Sequence, residues 1–227
     1  MKGKTNWATD TAAAYWNKRI WNFDQLHPRL FLIRNLIDTI LKPGSQLLDV
    51  GCGAATLRRI LQHDIEYFGV DIASDVIESF HDPVHFEAID FNLNPECFSG
   101  RKFDIVVCSG VFEYVQQPDR FIEFLGQKLT DTGHLILTCT NRQHHLSVRK
   151  WLRGGFDDNP DPHSNLLTIP QTMHLLAAYG FKILRHIAIT NKGKRQLPVL
   201  HRFYQFPFNL PFRQYIFLCK REKGANN

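Results

Sequence analysis

Nowhere does the sequence offer the ~18 consecutive apolar residues that a membrane-spanning helix requires. Its longest apolar stretch runs only from Leu175 to Phe181. No CxxC pair and no clustered metal-ligand spacing occurs, and the cysteines number five, an odd count. A disulfide framework is therefore not indicated, and a reduced, cytoplasmic chain with small buried thiols is the expectation. Met1-Lys2-Gly3-Lys4 leads into no apolar segment, so no secretory leader is expected. The 14 glycines and 11 prolines are scattered without a period, which excludes collagen-like and low-complexity readings. No internal repeat is present.

What is there looks globular. Hydrophobic residues make up 44% of the 227 and charged residues 22%, ordinary values that rule out wholesale disorder. The length suits one domain with elaborations, or two small ones, at ~100–200 residues per domain. Charge is unevenly spread. The net +5 hides a back part, residues 141–227, with 14 Lys/Arg against 4 Asp/Glu, while residues 1–140 are net acidic. A basic substrate side that attracts an anionic partner is the functional reading of that asymmetry; solvated surface charge accounts for most of the residues.

Hydrophobic spacing predicts helices over residues 10–22, 28–41, 55–62, 74–80, 118–129 and 170–179. Apolar runs predict strands at Gln46 to Val50, Tyr67 to Val70, Val84 to Ile89, Phe103 to Cys108, Leu135 to Cys139, Phe181 to Ile189 and Gln214 to Cys219. Strands alternating with helices mean an α/β fold, a Rossmann-like, seven-stranded, mostly parallel sheet with helices on both faces. The organisation expected is a single domain, with an N-terminal helical lid (1–45), a cofactor-binding core (46–140) and substrate-side insertions at 141–169 and 190–212. The first insertion, a cap after the fifth strand, is polar. The second is basic and aromatic. Both follow the carboxyl ends of strands, where open α/β sheets bind ligands.

The strongest signal is Leu48-Asp49-Val50-Gly51-Cys52-Gly53, leaving a strand and entering a helix. Glycines there let the backbone turn tightly and approach a ligand closely. Asp71 ends the next strand, 20 residues after Gly51, where a carboxylate can accept both ribose hydroxyls. Asp90 ends the third strand and can accept a hydrogen bond from an adenine amino group. NAD fits poorly. The third glycine of its fingerprint falls on Thr56, and Asp49 would oppose a pyrophosphate at low dielectric. S-adenosylmethionine has no phosphate and carries a sulfonium and an ammonium, so an acidic turn suits it.

At these residues the chain resembles the class I S-adenosylmethionine-dependent methyltransferases. LDVGCG, Asp71 after Gly-Val, Asp90 after Ala-Ile, and FDIVVCSGVFEYV match that family in order. Within it, the chain is similar to the UbiG-type quinone O-methyltransferases and related small-molecule methyltransferases. Tyr15-Trp16, Leu26-His27-Pro28-Arg29-Leu30, Thr140-Asn141-Arg142 and the stretch from His163 to Thr168-Ile169-Pro170 carry that likeness. The quinone enzymes have Glu-His after strand 4, where this chain has Glu113-Tyr114, so no metal is expected. The resemblance implies S-adenosylmethionine as cofactor, held by Asp49, Gly51, Cys52, Gly53, Asp71, Ile72, Asp90, Phe91 and Ser109. Asp49 supports the turn near the methionine ammonium, Ile72 packs on adenine, Phe91 offers an amide beside it, and Ser109 lies along the methionine.

The implied activity is methyl transfer to a small-molecule, lipid or glycan acceptor, at a hydroxyl oxygen. Such a nucleophile needs a base. His144, His145 and His163 lie in the polar insertion, and His163 and His144 are the candidates. Enzymes that methylate nucleobase amines place Asn/Asp-Pro-Pro-Tyr after strand 4, and Ser109-Gly110-Val111-Phe112 stands there instead. An RNA methyltransferase and a non-catalytic cofactor-binding partner remain the alternative readings. Nucleic acid is not an expected partner; an anionic acceptor and a peripheral membrane contact are.

Overall fold

The computed structural model describes residues 9–18, 26–61, 64–141, 143–144, 167–190 and 211–222. Helices α1 (Thr9–Asn17) and α2 (Pro28–Asp38) precede β1 (Gln46–Val50), α3 (Thr56–Ile60), β2 (Glu66–Asp71), α4 (Ser74–Glu78) and β3 (Phe86–Ala88). Then come β4 (Phe103–Cys108), α5 (Pro118–Gln127), β5 (Leu129–Thr140), α6 (Ile169–Ala178), β6 (Phe181–Thr190) and β7 (Phe212–Arg221). The seven strands form one sheet in the order β3-β2-β1-β4-β5-β7-β6. All neighbours pair in parallel except at β7, which is antiparallel to both β5 and β6. The expected Rossmann-like, mostly parallel architecture is therefore present.

Side-chain alternation along the strands explains the layers. Leu48, Val50, Val106, Leu135 and Leu137 face one way and pack with Phe121, Leu125, Ile169 and Leu176 of α5 and α6. Leu47, Ile105, Val107 and Ile136 face the other way and meet Ile33, Leu36 and Ile37 of α2 and Leu57 of α3. Each such Leu or Ile, fully buried, contributes roughly 1.5–3 kcal/mol. Strands covered on both faces read as continuous apolar runs, which is why β1 and β4 carry the bounds expected of them.

Local signals start the helices. Pro28 opens α2, and the His27 side chain accepts a hydrogen bond from the Arg29 amide at 3.2 Å. Thr168 and Gln171 form a reciprocal capping box at α6, with Pro170 in its first turn. Among the described residues no helix is long and apolar enough to cross a membrane.

Several bounds differ from expectation. α1 ends at Asn17, and its predicted remainder falls on residues outside those described. β3 is short, Phe86–Ala88. β5 begins at Leu129 rather than Leu135, and α5 stops at Gln127 to make room for it. Thr130-Asp131-Thr132-Gly133 is polar and reads as a turn, yet it continues the strand through a register irregularity opposite Phe103/Ile105. Gly133 permits this. A Cβ there would lie 2.9 Å from Leu129 Cδ2 and 3.0 Å from the Phe103 carbonyl oxygen.

Candidate functional site

Strand order reverses between β1 and β4, so the segments leaving their carboxyl ends diverge and open a crevice. The turn after β1 lines it. Gly51 has φ +79° and Gly53 φ +49°, the left-handed region that glycine enters without penalty. Space is the second constraint at Gly51, where a Cβ would sit 1.9 Å from Val111 Cγ2. The Gly51 and Cys52 amides donate to the Val70 carbonyl at 2.8 and 3.0 Å, tying the turn to β2. Cys52 is buried, and burial pushes its thiol well up, so it packs as a small apolar group.

Asp49 lies beneath the turn and is buried. The Tyr67 hydroxyl donates to its Oδ2 at 2.6 Å. Burial raises the Asp49 carboxyl to about 7; the Tyr67 hydrogen bond lowers it, the Asp71 charge raises it and the Arg29 guanidinium lowers it. A cation placed beside it would favour its charged form.

Asp71, also buried, clamps the same turn. Its Oδ2 accepts from the Gly53 amide at 2.8 Å and its Oδ1 from the Ala73 amide at 3.0 Å. A carboxylate has about four lone-pair sites, and these two amides fix the orientation of its oxygens at the turn. Ile72, half-buried, follows it. Asp90 accepts from the Asn92 amide through Oδ1 at 2.8 Å. Its Oδ2 is buried with no hydrogen-bond partner among the described residues, and burial raises its carboxyl. Phe91 beside it packs its ring on Phe121 and Phe124, with centroids 5.5 and 6.0 Å away.

Across the crevice, Ser109 leaves β4 with its Oγ buried and likewise without a partner among the described residues. Gly110 follows at φ +80°, its amide donating to Thr138 Oγ1 at 2.9 Å. A Cβ at Gly110 would lie 2.7 Å from Arg29 Nη2. Arg29 lies in the Leu26–Leu30 motif, which by itself assigns it no role. The fold brings its guanidinium from α2 to the β4 exit, within the field of Asp49, where an amino-acid carboxylate could meet it. Tyr67, likewise unassigned, anchors Asp49 from β2; neither pairing has a local sequence signal.

The acceptor side is partly visible. Phe112–Tyr114 forms a 3-10 turn, and buried Glu113 accepts a hydrogen bond from Thr140 Oγ1 at the end of β5. The Tyr114 ring meets Trp16 of α1 edge-on at 5.1 Å, and Asn17 Nδ2 donates to Ser74 Oγ at 3.1 Å. The N-terminal helix thus lies against the segments that leave β2 and β4. His144 is just past β5, only 3% exposed, with its amide donating to the Asn141 carbonyl at 3.1 Å. His145, His163 and most of both substrate-side insertions lie outside the described residues.

A family model described as "Methyltransferase domain" matches residues 18–186. A ubiquinone biosynthesis O-methyltransferase of Coxiella burnetii is 30% identical over 107 residues, 44% of this chain and 45% of that protein. A malonyl-[acyl-carrier protein] O-methyltransferase of Calditerrivibrio nitroreducens is 26% identical over 144 residues, 62% of this chain and 53% of that one. The chain thus spans about half the length of the curated relatives it matches. Among solved structures, magnesium protoporphyrin IX methyltransferase from Synechocystis PCC 6803, with bound SAH, superposes with a TM-score of 0.59 at 17% identity, over 95% of both chains. With the glycine turn, the two strand-end aspartates and the sheet order in place, the chain belongs to the methyltransferase-domain family and has the fold of the S-adenosylmethionine-dependent methyltransferases.

Proposed function

We propose that the protein transfers a methyl group from S-adenosylmethionine to a hydroxyl oxygen of a small-molecule, lipid or glycan acceptor. One observation carries the cofactor assignment. Among the described residues, Asp90 Oδ2 is buried without a hydrogen-bond partner, at the mouth of the same crevice that holds the Gly51–Gly53 turn and Asp71. A buried acceptor without a donor costs ~1–3 kcal/mol, which an adenine amino group would relieve. Ser109 Oγ is a second such atom, placed for the methionine portion. When bound, S-adenosylmethionine supplies an electrophilic methyl on a sulfonium.

The chain's own residues then have separable tasks. Asp71 holds the ribose hydroxyls, Ile72 and Phe91 flank the adenine, and Asp49 offsets the cationic end. Arg29 takes the carboxylate. α1, through Trp16 and Tyr114, closes water out of the crevice. The acceptor must lie ~3 Å from the methyl, and positioning of this kind supplies ~7–11 kcal/mol. A base removes the hydroxyl proton, and His144 or His163 is assigned to it. The curated relatives named above are both O-methyltransferases, which supports oxygen as the target. The excess of Lys/Arg in residues 141–227 supports an anionic acceptor, presented in solution or at a membrane surface. All five cysteines are free and buried, in keeping with a cytoplasmic location.

The test is turnover of S-adenosylmethionine to S-adenosylhomocysteine across an acceptor panel of phenols, sugars and carrier-bound acids. With the acceptor in hand, kcat should rise through about pH 6–7 as imidazole loses its proton. His144→Ala or His163→Ala should lower kcat by ~10²–10⁴ with cofactor affinity nearly unchanged. Near-normal kcat in both variants would remove histidine from the base role.

A further inference from the structure

A second concave site lies at the opposite edge of the sheet from the crevice. It is a cleft of about 540 Å³ between the segment entering β4 and helix α5. Ligand pockets typically run ~300–1,000 Å³. Its walls carry four cations, Arg101, Lys102, Arg120 and Lys128, against two carboxylates, Glu96 and Glu123. Lys128 is the informative member. It caps the end of α5, is only 8% exposed, and donates through Nζ to the Cys97 carbonyl oxygen. An ammonium has three N–H donors, and a buried charge is costly unless paired. Among the described residues no carboxylate lies within ion-pair distance of Lys128, Lys102 or Arg120. Arg101 is differently placed, over the Phe68 ring at 4.5 Å and 3.6 Å from Glu66.

The geometry points to a binding site for a small soluble anion bearing a phosphoryl group, with Lys128 as its buried anchor and Lys102 and Arg120 as its rim. Cations outnumber carboxylates along its walls, which suits an anion. Lys102 and Lys128 immediately precede β4 and β5, so the cleft opens at the amino ends of those strands. The crevice is at the carboxyl ends, and a six-residue strand such as β4 spans ~20 Å. The two sites are therefore separate, and this inference does not rest on the methyl-transfer reading.

The test is titration calorimetry of the full chain with inorganic diphosphate. Lys128→Met, Arg120→Gln and Lys102→Gln are compared with the parent protein, and S-adenosylhomocysteine binding is measured in each as a control. Expected is saturable diphosphate binding, weakened at least tenfold by Lys128→Met and severalfold by each rim variant. S-adenosylhomocysteine affinity should stay the same throughout. The rim residues are exposed, so their variants report even if Lys128→Met fails to fold. No diphosphate binding to the parent protein overturns the site, as does binding that neither rim substitution weakens. Competition between diphosphate and S-adenosylhomocysteine would move the anion to the crevice and overturn it equally. Flotation on phosphatidylglycerol vesicles, lost in the rim variants, would overturn the soluble ligand in favour of a lipid headgroup.

Discussion

The two edges of the sheet carry opposite charge. At the carboxyl ends, Asp49 and Asp71 are buried around a glycine turn, Asp90 stands half-buried beside them, and Glu113 is buried past β4. At the amino ends, Arg101, Lys102, Arg120 and Lys128 line an open cleft. One mostly parallel sheet thus presents a site suited to a cation and, ~20 Å away along its strands, one suited to an anion. The contrast also separates two kinds of placement. The acidic rim is fixed by backbone amides and a tyrosine hydroxyl, so its geometry is set before a ligand arrives. The basic cleft depends on long side chains, only one of which is buried. Affinity at the rim should therefore respond sharply to single atoms, and affinity at the cleft to summed charge.

The largest expected effect comes from neutralising the most deeply placed acid. Asp49 is raised to about 7 in the fold, against its ordinary value of 3.8. A carboxyl raised in this way binds more protons folded than unfolded, so its contribution to stability falls as pH climbs from about 4 to about 7. Asp49→Asn keeps an acceptor for Tyr67 and should raise unfolding stability at pH 8 by about 4 kcal/mol, with the gain vanishing below about pH 4. Chemical denaturation at a series of pH values checks this. The same variant should lose affinity for S-adenosylmethionine and S-adenosylhomocysteine alike, because both carry the methionine ammonium. Unchanged affinity for both would break the charge argument.

Next is Gly51→Ala. The left-handed backbone costs roughly 1–2 kcal/mol for a residue with a Cβ. The 1.9 Å approach to Val111 Cγ2 adds overpacking on the order of 1–3 kcal/mol. Denaturant midpoints should fall accordingly, and adding Val111→Ala should restore part of the loss. No restoration would mean that the turn fails for conformational reasons alone.

Asp71→Ala should weaken cofactor binding by ~1.5–3 kcal/mol, the worth of a hydrogen bond to a charged group. It also frees the Gly53 and Ala73 amides, so stability should fall with affinity. Asp90→Ala should weaken the cofactor while leaving stability closer to that of the parent protein, because its Oδ2 has no donor among the described residues. Thermal unfolding with and without S-adenosylhomocysteine separates the two. If both variants behave alike, Asp90 is structural.

Much of the rim was legible in the sequence because its signals are local. β1 and β4 are apolar runs closed by glycine or a small polar residue, and they carry the expected bounds. Gly51 follows β1, Asp71 ends β2, and Asp90, expected to end the third strand, stands two residues past the end of β3. What escaped notice is what the fold pairs at distance. Tyr67 reaches Asp49 from a neighbouring strand. Arg29 crosses from α2 to Gly110, 81 positions along the chain. The first half of β5 was hidden because Thr130-Asp131-Thr132-Gly133 has turn composition, and only pairing with β4 makes it a strand. The basic cleft was invisible for the same reason. Lys102, Arg120 and Lys128 are unremarkable singly, and tertiary packing alone assembles them.

The central claim is that the acidic rim is an S-adenosylmethionine site. Titration calorimetry of the parent protein with S-adenosylhomocysteine, and separately with NAD, tests it most directly. The account predicts micromolar S-adenosylhomocysteine binding and no heat with NAD. Thermal stabilisation should also appear, equivalent to ~2.7 kcal/mol when the ligand is present at ~100 times its Kd. NAD binding in the absence of S-adenosylhomocysteine binding would contradict it.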